Sequence, residues 1–557
     1  MATYTGADLF VDALEQYGVH HLFGNPGTTE VPIIHALEAS DIDYVLGLHE
    51  DIAVGMAAGY ARTRTYHRHS DESVNPVGVA NLHVAPGLAH GLGNLYDAYR
   101  GGVPLLVTAG NHGTDVQHEE PVLSGDLVEM ADPFTKWSAE APSVDALPSM
   151  VRRAFRVALT PPTGPVFLSL PIDVMMAETD ERPQRLGEIP TAGRGDPDAL
   201  ERAAQRVGEA EEVTLVVGDG VCRAGEDAIE ATVDFAEAAG ARVHGEIVAA
   251  EISFPTDHEQ WVSFLSANAD SSREFVDTDL LVLAGCSTNA PISGSEEGFV
   301  PEETNCIHLG ADPWQLGKNE PADTAIVGDP GEIMSELAPM AEARVDETER
   351  RRRLTGVEAV KSSLEADAEE DADDARMSKA ELIDTLVAAA PDAYVVDESL
   401  TTKYAMLSRA DMEPREWIGN KGGGLGYGLP ASIGAALAES MCETPRDVIG
   451  LIGDGSYLYY PQSIYTAVRY GIDLTVVIPD NRNYRILKDN TLSIMGGTEE
   501  DYEFIGMDFD PHVDIPTTAR GHGADARLIE SPDELADALD ASLSSSEPTV
   551  LDTLVHD

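Results

Sequence analysis

Asp454 stands in Gly453-Asp454-Gly455-Ser456, and Asn481 follows it 27 positions later, within Pro479-Asp480-Asn481-Arg482-Asn483-Tyr484. An apolar run, Val448-Ile449-Gly450-Leu451-Ile452, leads into the first segment and reads as a buried strand. The glycine turn then opens a stretch, Tyr459 to Tyr470, that is expected to be helical with Pro461 in its first turn. A strand, a glycine turn and a helix N-terminus make an anion site, because backbone N–H groups left free there point at the ligand. Asp454 and Asn481 add hard oxygen ligands of the kind that suit Mg²⁺. The ligand these residues imply is a diphosphate held through a metal ion. Gly218-Asp219-Gly220 is a second copy of the turn and also follows an apolar run, Val213 to Val217. The residue 27 positions beyond Asp219 is Glu246, and no asparagine-rich turn follows. That copy reads as an ordinary strand-end turn.

Elements must hold these residues in place. At 557 residues the chain has room for three domains. Residues 1–185 alternate apolar strands (Val103 to Ala109, Val166 to Leu170) with helical patterns (Ala7 to Tyr17, Val54 to Arg62). Such alternation implies an α/β fold with a mainly parallel sheet. Pro183 to Asp198, rich in Pro, Gly and charge, reads as a linker. A second unit spans 196–340, with strands expected at Val213 to Val217, Leu280 to Leu283 and Cys306 to Leu309. Glu342 to Ser378 is dense in charge, above all Glu365 to Asp374, and reads as a solvated linker or exposed helix. A third unit, 379–557, places strands at Tyr394 to Val396, Val448 to Ile452 and Leu474 to Ile478.

Charge excludes some functions. The net charge is −62, from 36 basic and 98 acidic residues. Such a surface repels nucleic acid and anionic membranes. With 43% hydrophobic residues spread throughout, the acidity marks a folded protein adapted to high salt rather than a disordered one. Cys222, Cys286, Cys306 and Cys442 lie far apart without metal-ligand spacing and read as buried thiols in a reducing cytosol. No basic leader and no apolar run of about 18 residues is present, so neither export nor a membrane span is expected, and the location expected is cytoplasmic.

The Gly453-to-Ser456 motif with Asn481 resembles the signature of thiamine-diphosphate enzymes. Phe23-Gly24-Asn25-Pro26-Gly27-Thr28-Thr29-Glu30, Leu48-His49-Glu50-Asp51, Gly59-Tyr60-Ala61, Asn81-Leu82-His83 and Pro104 to Gly110 extend the resemblance over nearly the whole chain. Within that family the likeness is greatest to benzoylformate decarboxylases, through Gly24 to Gly27, His83 and Phe254-Pro255-Thr256-Asp257-His258, with acetolactate synthase catalytic subunits next. The resemblance implies three doubly wound parallel-sheet domains: pyrimidine-binding (1–185), middle (196–340) and diphosphate-binding (379–557). It also implies thiamine diphosphate and Mg²⁺ as cofactors.

By residue type alone Glu50 is a carboxylate at a helix start, where it favours the dipole. The resemblance makes it the acid that hydrogen-bonds a pyrimidine nitrogen and so promotes deprotonation of the thiazolium ring. Asp454, Asn481 and the carbonyl of Asn483 would bind Mg²⁺. Gly453, Gly455, Ser456 and Asn481 would bind the diphosphate, the Gly423 carbonyl would meet the aminopyrimidine, and Leu425 would hold the cofactor bent. Asp480 takes the place where many relatives carry a second asparagine. His83 is the proton-transfer candidate, since imidazole both accepts and donates near neutral pH. Thr28 would bind the substrate carboxylate in place of a serine. His258 is read as structural, because the family's second catalytic histidine falls later, where Cys286 to Ile292 holds none. His49, His90 and His112 receive no role.

The expected activity is decarboxylation of a 2-oxo acid to an aldehyde. An acetolactate-synthase-like carboligation is the alternative; FAD is compatible with it, though no motif supports FAD. A non-catalytic cofactor-binding subunit is a third reading, against which the intact set of Glu50, Asp454 and Asn481 argues. Gly419, Ile486 and Asn490 fall at the aryl-pocket positions, two of them without the expected rings, so an aryl substrate is not evident. In the family the pyrimidine-binding domain faces the diphosphate-binding domain of another subunit, which implies a homodimer or homotetramer.

Overall fold

The computed structural model describes residues 4–287, 299–366 and 376–556. Most of the acidic run, residues 367–375, lies outside the described residues, as do Thr288 to Ile292. Three six-stranded sheets follow one another along the chain, and every strand pair in them is parallel.

The first sheet comprises β1 (His21–Gly24), β2 (Asp43–Leu46), β3 (Gly78–Leu82), β4 (Leu105–Asn111), β5 (Ser138–Glu140) and β6 (Val166–Pro171), in the order β2-β1-β3-β4-β6-β5. The second comprises β7 (Val213–Val217), β8 (Arg242–Gly245), β9 (Trp261–Phe264), β10 (Leu280–Ala284), β11 (Asn305–Gly310) and β12 (Thr324–Val327), in the order β12-β11-β10-β7-β8-β9. The third comprises β13 (Tyr394–Glu398), β14 (Trp417–Gly419), β15 (Val448–Ile452), β16 (Thr475–Asp480), β17 (Asp525–Ile529) and β18 (Thr549–Leu554), in the order β14-β13-β15-β16-β18-β17. The first and third sheets therefore share one strand order, and the middle one has the dinucleotide-type order 3-2-1-4-5-6. Central strands such as β4, β6, β7, β10, β13 and β15 are buried at every residue. That burial is why they appear in the sequence as continuous apolar runs rather than alternating ones.

The first and third units dock through two helices, Glu50–Ser70 and Gly428–Glu439. A Cβ on Gly434 would lie 1.9 Å from the Met56 carbonyl oxygen, and one on Gly59 would lie 2.1 Å from that of Ala431. Their backbones touch because glycine stands at the crossing. The first of these helices begins at Glu50, earlier than the Val54 expected from periodicity, because the His49 side chain caps it by accepting from Asp51 N. The expected Tyr459–Tyr470 helix is corrected to two pieces: a single turn, Asp454–Tyr457, and a helix Ser463–Tyr470. Pro461 falls in the turn between them, where its missing N–H costs nothing. In the charge-rich segment, the described part forms a helix, Glu347–Ala366. Buried Arg353 ties it to the middle unit by donating to the Ala239, Val207 and Ala210 carbonyls.

Candidate active site

The carboxyl ends of β13, β15 and β16 enclose a narrow cleft lined by Ser399, Leu400, Leu425, Gly453–Ser456, Asn481, Asn483 and Ile486, among others. β13 and β15 flank the point where the strand order reverses, the usual place for a ligand in an open α/β sheet. At the base of the cleft, Asp454 Oδ1 accepts from Gly455 N (2.8 Å) and Oδ2 from Arg482 N (2.8 Å). Asp480 Oδ1 accepts from the same Arg482 N–H (2.9 Å), in a turn tight enough to force Arg482 to φ +64°. Burial and the adjoining Asp480 carboxyl push Asp454 up to about 8, and burial with Asp480 does the same to Asp552. Asn483 N and Nδ2 donate to Asn481 Oδ1 (3.3 Å) and to the Asn481 carbonyl (2.8 Å), which fixes both asparagines. Buried carboxyls gathered beside amide oxygens form a hard donor set that fits a divalent cation.

The Gly422–Gly426 loop closes one side. Glu398, at the end of β13, is fully enclosed and accepts from Asn420 Nδ2 (2.8 Å), Gly426 N (3.2 Å), Tyr427 N (3.3 Å) and Gly428 N (2.8 Å). Burial outweighs these bonds and raises its carboxyl to about 7. Gly423 takes φ +77°, and its Cβ position and that of Gly424 face open space. The Ser456 hydroxyl donates to the Glu398 carbonyl (3.1 Å).

The second half of the site lies in the first unit, at the corresponding reversal between β1 and β3. His83 follows β3, and its Nδ1 is 2.8 Å from Glu30 Oε2 and 3.3 Å from Thr29 Oγ1. Glu30 has no exposed surface; it also accepts from Gly27 N (3.1 Å), Gly110 N (2.9 Å) and Thr29 Oγ1 (2.7 Å). A carboxylate at Nδ1 selects the tautomer protonated there and leaves the Nε2 lone pair for chemistry. Gly27 is required for this contact, since a Cβ would fall 2.0 Å from His83 Nδ1. Glu50 and His83 both border Gly87: a Cβ there would be 3.0 Å from Glu50 Oε1 and 3.3 Å from His83 Cβ. Glu50 Oε2 lies 3.2 Å from His90 Nδ1, and the His90 ring stacks on His49 with centroids 5.0 Å apart. Thr28 is exposed at the tip of the same turn.

The structure thus gathers Leu425, Gly453, Asp454, Gly455, Ser456, Asn481 and Asn483 in one cleft and Glu50 with His83 in another place. No first-unit residue lines the first cleft. Three residues of the site escaped the sequence reading. Glu30 was present in the Gly24-to-Glu30 run, three positions after Gly27, but nothing in the pattern marks its burial. Glu398 follows the apolar run at Tyr394 to Val396, the strand-end position from which such sheets build their sites. His90 lies seven positions after His83, a helical repeat that would have placed both on one face. His258 pairs with Glu237 (3.4 Å) and packs edge-on against Phe254.

Three thiamine pyrophosphate enzyme models match the chain: the N-terminal TPP binding domain over residues 4–132, the central domain over 200–337 and the C-terminal TPP binding domain over 401–553. The chain is 29% identical to benzoylformate decarboxylase of Pseudomonas aeruginosa over 547 residues, covering 97% of each. It is 27% identical over 570 residues to a protein of Methanocaldococcus jannaschii named "Probable acetolactate synthase large subunit", covering 99% of this chain and 92% of that one. A solved structure of a thiamine diphosphate-dependent 4-hydroxybenzoylformate decarboxylase from Rhodococcus jostii superposes with a TM-score of 0.84 at 26% identity, over 99% of each chain. Among the described residues no helix is long and apolar enough to cross a membrane.

Proposed function

Because the chain belongs to the thiamine pyrophosphate enzyme family, we propose that it is a thiamine-diphosphate- and Mg²⁺-dependent decarboxylase that converts a 2-oxo acid, without oxidation, into an aldehyde and CO₂. The observation that carries this reading is His83 seated on the buried Glu30 carboxylate, with Glu50 bordering the same glycine, Gly87. When bound, the cofactor supplies an electron sink for the pair left behind by CO₂. Glu50 holds a proton at a pyrimidine ring nitrogen. His83 relays protons through Nε2: it lends one to the substrate's keto oxygen as charge gathers there, is recharged from solvent, delivers the one proton that the product carbon keeps, and takes the first back as the aldehyde carbonyl forms. Thr28, on the exposed turn, binds the substrate carboxylate. Asp454, Asn481 and the Asn483 carbonyl hold Mg²⁺; Gly453, Gly455 and Ser456 bind the diphosphate; the Gly423 carbonyl and Leu425 orient the pyrimidine end. Residues 1–185, 196–340 and 379–557 serve as the pyrimidine-binding, middle and diphosphate-binding domains.

The diphosphate cleft draws its lining from the third unit alone. We therefore assign the complete site to two chains, with Glu50 of one copy facing the Asp454 cleft of another in a homodimer or a dimer of dimers. Four free thiols fit a protein kept in a reducing compartment, which we take to be the cytoplasm.

Product analysis tests the reaction. Purified protein with Mg²⁺ and thiamine diphosphate is given pyruvate, branched 2-oxo acids and benzoylformate separately, with Glu50→Gln as control. Aldehyde and CO₂ are expected. Acetolactate from pyruvate would move the assignment to the synthase-like carboligation that the 27% identical relative suggests. Cofactor binding with no product from any acid would leave a non-catalytic subunit.

A further inference from the structure

Lys421, one of seven lysines in the chain, is wholly enclosed. Its ammonium stands 2.7 Å from Asp219 Oδ2 and 2.9 Å from Glu246 Oε1, both acids of the middle unit and both enclosed as well. Asp219 belongs to Gly218-Asp219-Gly220, directly after β7, and Glu246 directly follows β8. Asp219 thus stands at the carboxyl end of β7, which with β10 flanks the point where the middle sheet's strand order reverses and such sheets ordinarily take a ligand, and Glu246 stands at the same end of the neighbouring β8. Here a side chain of the third unit reaches that place. The acids are locked in turn. Asp219 N donates to Glu246 Oε1 (2.9 Å), Ala250 N and Glu251 N to Asp219 Oδ1 (3.0 and 3.2 Å), and Ser287 N to Glu246 Oε2 (2.8 Å). On the main-chain side, Lys421 N and Gly422 N both donate to Asp97 Oδ1 of the first unit (2.8 and 2.6 Å), and Arg62 Nη2 lies 3.6 Å from Asp97 Oδ2.

The residues that follow, Gly422-Gly423-Gly424, have no side chains with which to hold a conformation, and glycine loses the most freedom on ordering. Gly423 and Gly424 touch nothing at their Cβ positions. The loop's geometry comes from its neighbours: Asn420 Oδ1 accepts from Gly423 N (2.6 Å) and Asn420 Nδ2 donates to the Gly424 carbonyl, Glu398 holds Gly426–Gly428, and Lys421 fixes the end from which Asn420 and the glycines extend.

We propose that Lys421 is a positioning residue that anchors the Gly422–Gly424 loop to the middle unit, so that Asp219 and Glu246 help set the affinity for the cofactor. The proposal rests on the reading that this loop meets the aminopyrimidine. Once formed, the anchor is kept by the cost of breaking it, since removing one partner leaves a buried charge uncompensated.

The test uses the full chain in high-salt buffer with Mg²⁺. Thiamine diphosphate affinity is measured calorimetrically, and amide exchange is followed over residues 420–428, for wild type, Lys421→Met, Lys421→Arg, Asp219→Asn and the double variant Lys421→Met/Asp219→Asn. Lys421→Met is expected to weaken binding by about tenfold or more and to speed exchange in the loop, while β15 amides stay protected. Lys421→Arg should recover most of the affinity, and the double variant should bind no worse than Lys421→Met. Wild-type affinity and loop protection in Lys421→Met would overturn the proposal. If Lys421→Met does not fold, Asp219→Asn decides: it keeps the Lys421–Glu246 pair, and unchanged affinity and exchange there would equally overturn it. Failure of the wild type to bind thiamine diphosphate would instead refute the cofactor reading, and the exchange data would still decide whether Lys421 holds the loop.

Discussion

His83 and Glu398 are each governed by a buried neighbourhood rather than by residue type. The Glu30 carboxylate gives the His83 ring its orientation and tautomer, so Glu30→Gln should act through His83. Its amide would present N–H groups either to the donors at Gly27 and His83 Nδ1 or to the donor at Gly110, and so misalign the ring. We expect kcat to fall by about 10²-fold or more, as for loss of general acid–base catalysis, with a smaller change in KM; steady-state kinetics beside His83→Ala would check it, and a normal kcat would remove Glu30 from the mechanism. Glu398 makes a pH prediction. Its carboxyl rises from an ordinary 4.5 to about 7 because burial disfavours the anion. Between those values the folded state binds more protons than the unfolded one, so this group's contribution to stability is lost as pH rises from about 5 to 7. The melting temperature of the cofactor-free protein should therefore decline less across that window in Glu398→Gln than in wild type; parallel curves would count against it.

At the scale of elements, the sheets and their crossing helices decide where these residues meet. Continuous apolar runs identified β4, β7, β10, β13 and β15 in the sequence because parallel strands buried on both faces leave no polar alternation. Helix starts were less legible: the cap at His49 is a side-chain contact, not a periodicity. The Glu50–Ser70 and Gly428–Glu439 helices approach so closely that Gly434→Ala must move backbone, not a flexible side chain. Overpacking of this kind costs about 1–3 kcal/mol. We expect denaturant unfolding of Gly434→Ala to show a loss in that range, and a midpoint equal to wild type would show that the crossing is looser than drawn.

Two properties belong to the whole molecule. The first is assembly. If the site spans two chains, mixing Glu50→Gln with Asp454→Ala protein and allowing subunits to exchange should restore part of the activity, since a mixed dimer holds one intact site; no recovery despite demonstrated exchange would place Glu50 and Asp454 in the same chain's site. The second is salt. With a net charge of −62, self-repulsion is long-ranged when the Debye length is about 10 Å at 0.1 M salt and is screened when it falls to about 3 Å at 1 M. The melting temperature should rise with KCl over that range, and a flat response would contradict adaptation to high salt.

The sequence by itself determined the α/β class, the buried strand leading into Asp454 with Asn481 downstream, and the acidic surface. Each is a local pattern of apolar runs, glycine and charge, and so survives reading one residue at a time. The tertiary structure alone decided that the first and third sheets share a strand order, that Glu30 lies under His83, and that Glu398 gathers the glycine loop. It also decided that Gly218-Asp219-Gly220, an ordinary turn by its sequence, receives Lys421 from 202 positions away. Burial and long-range pairing set these features, and neither leaves a periodic trace in the chain.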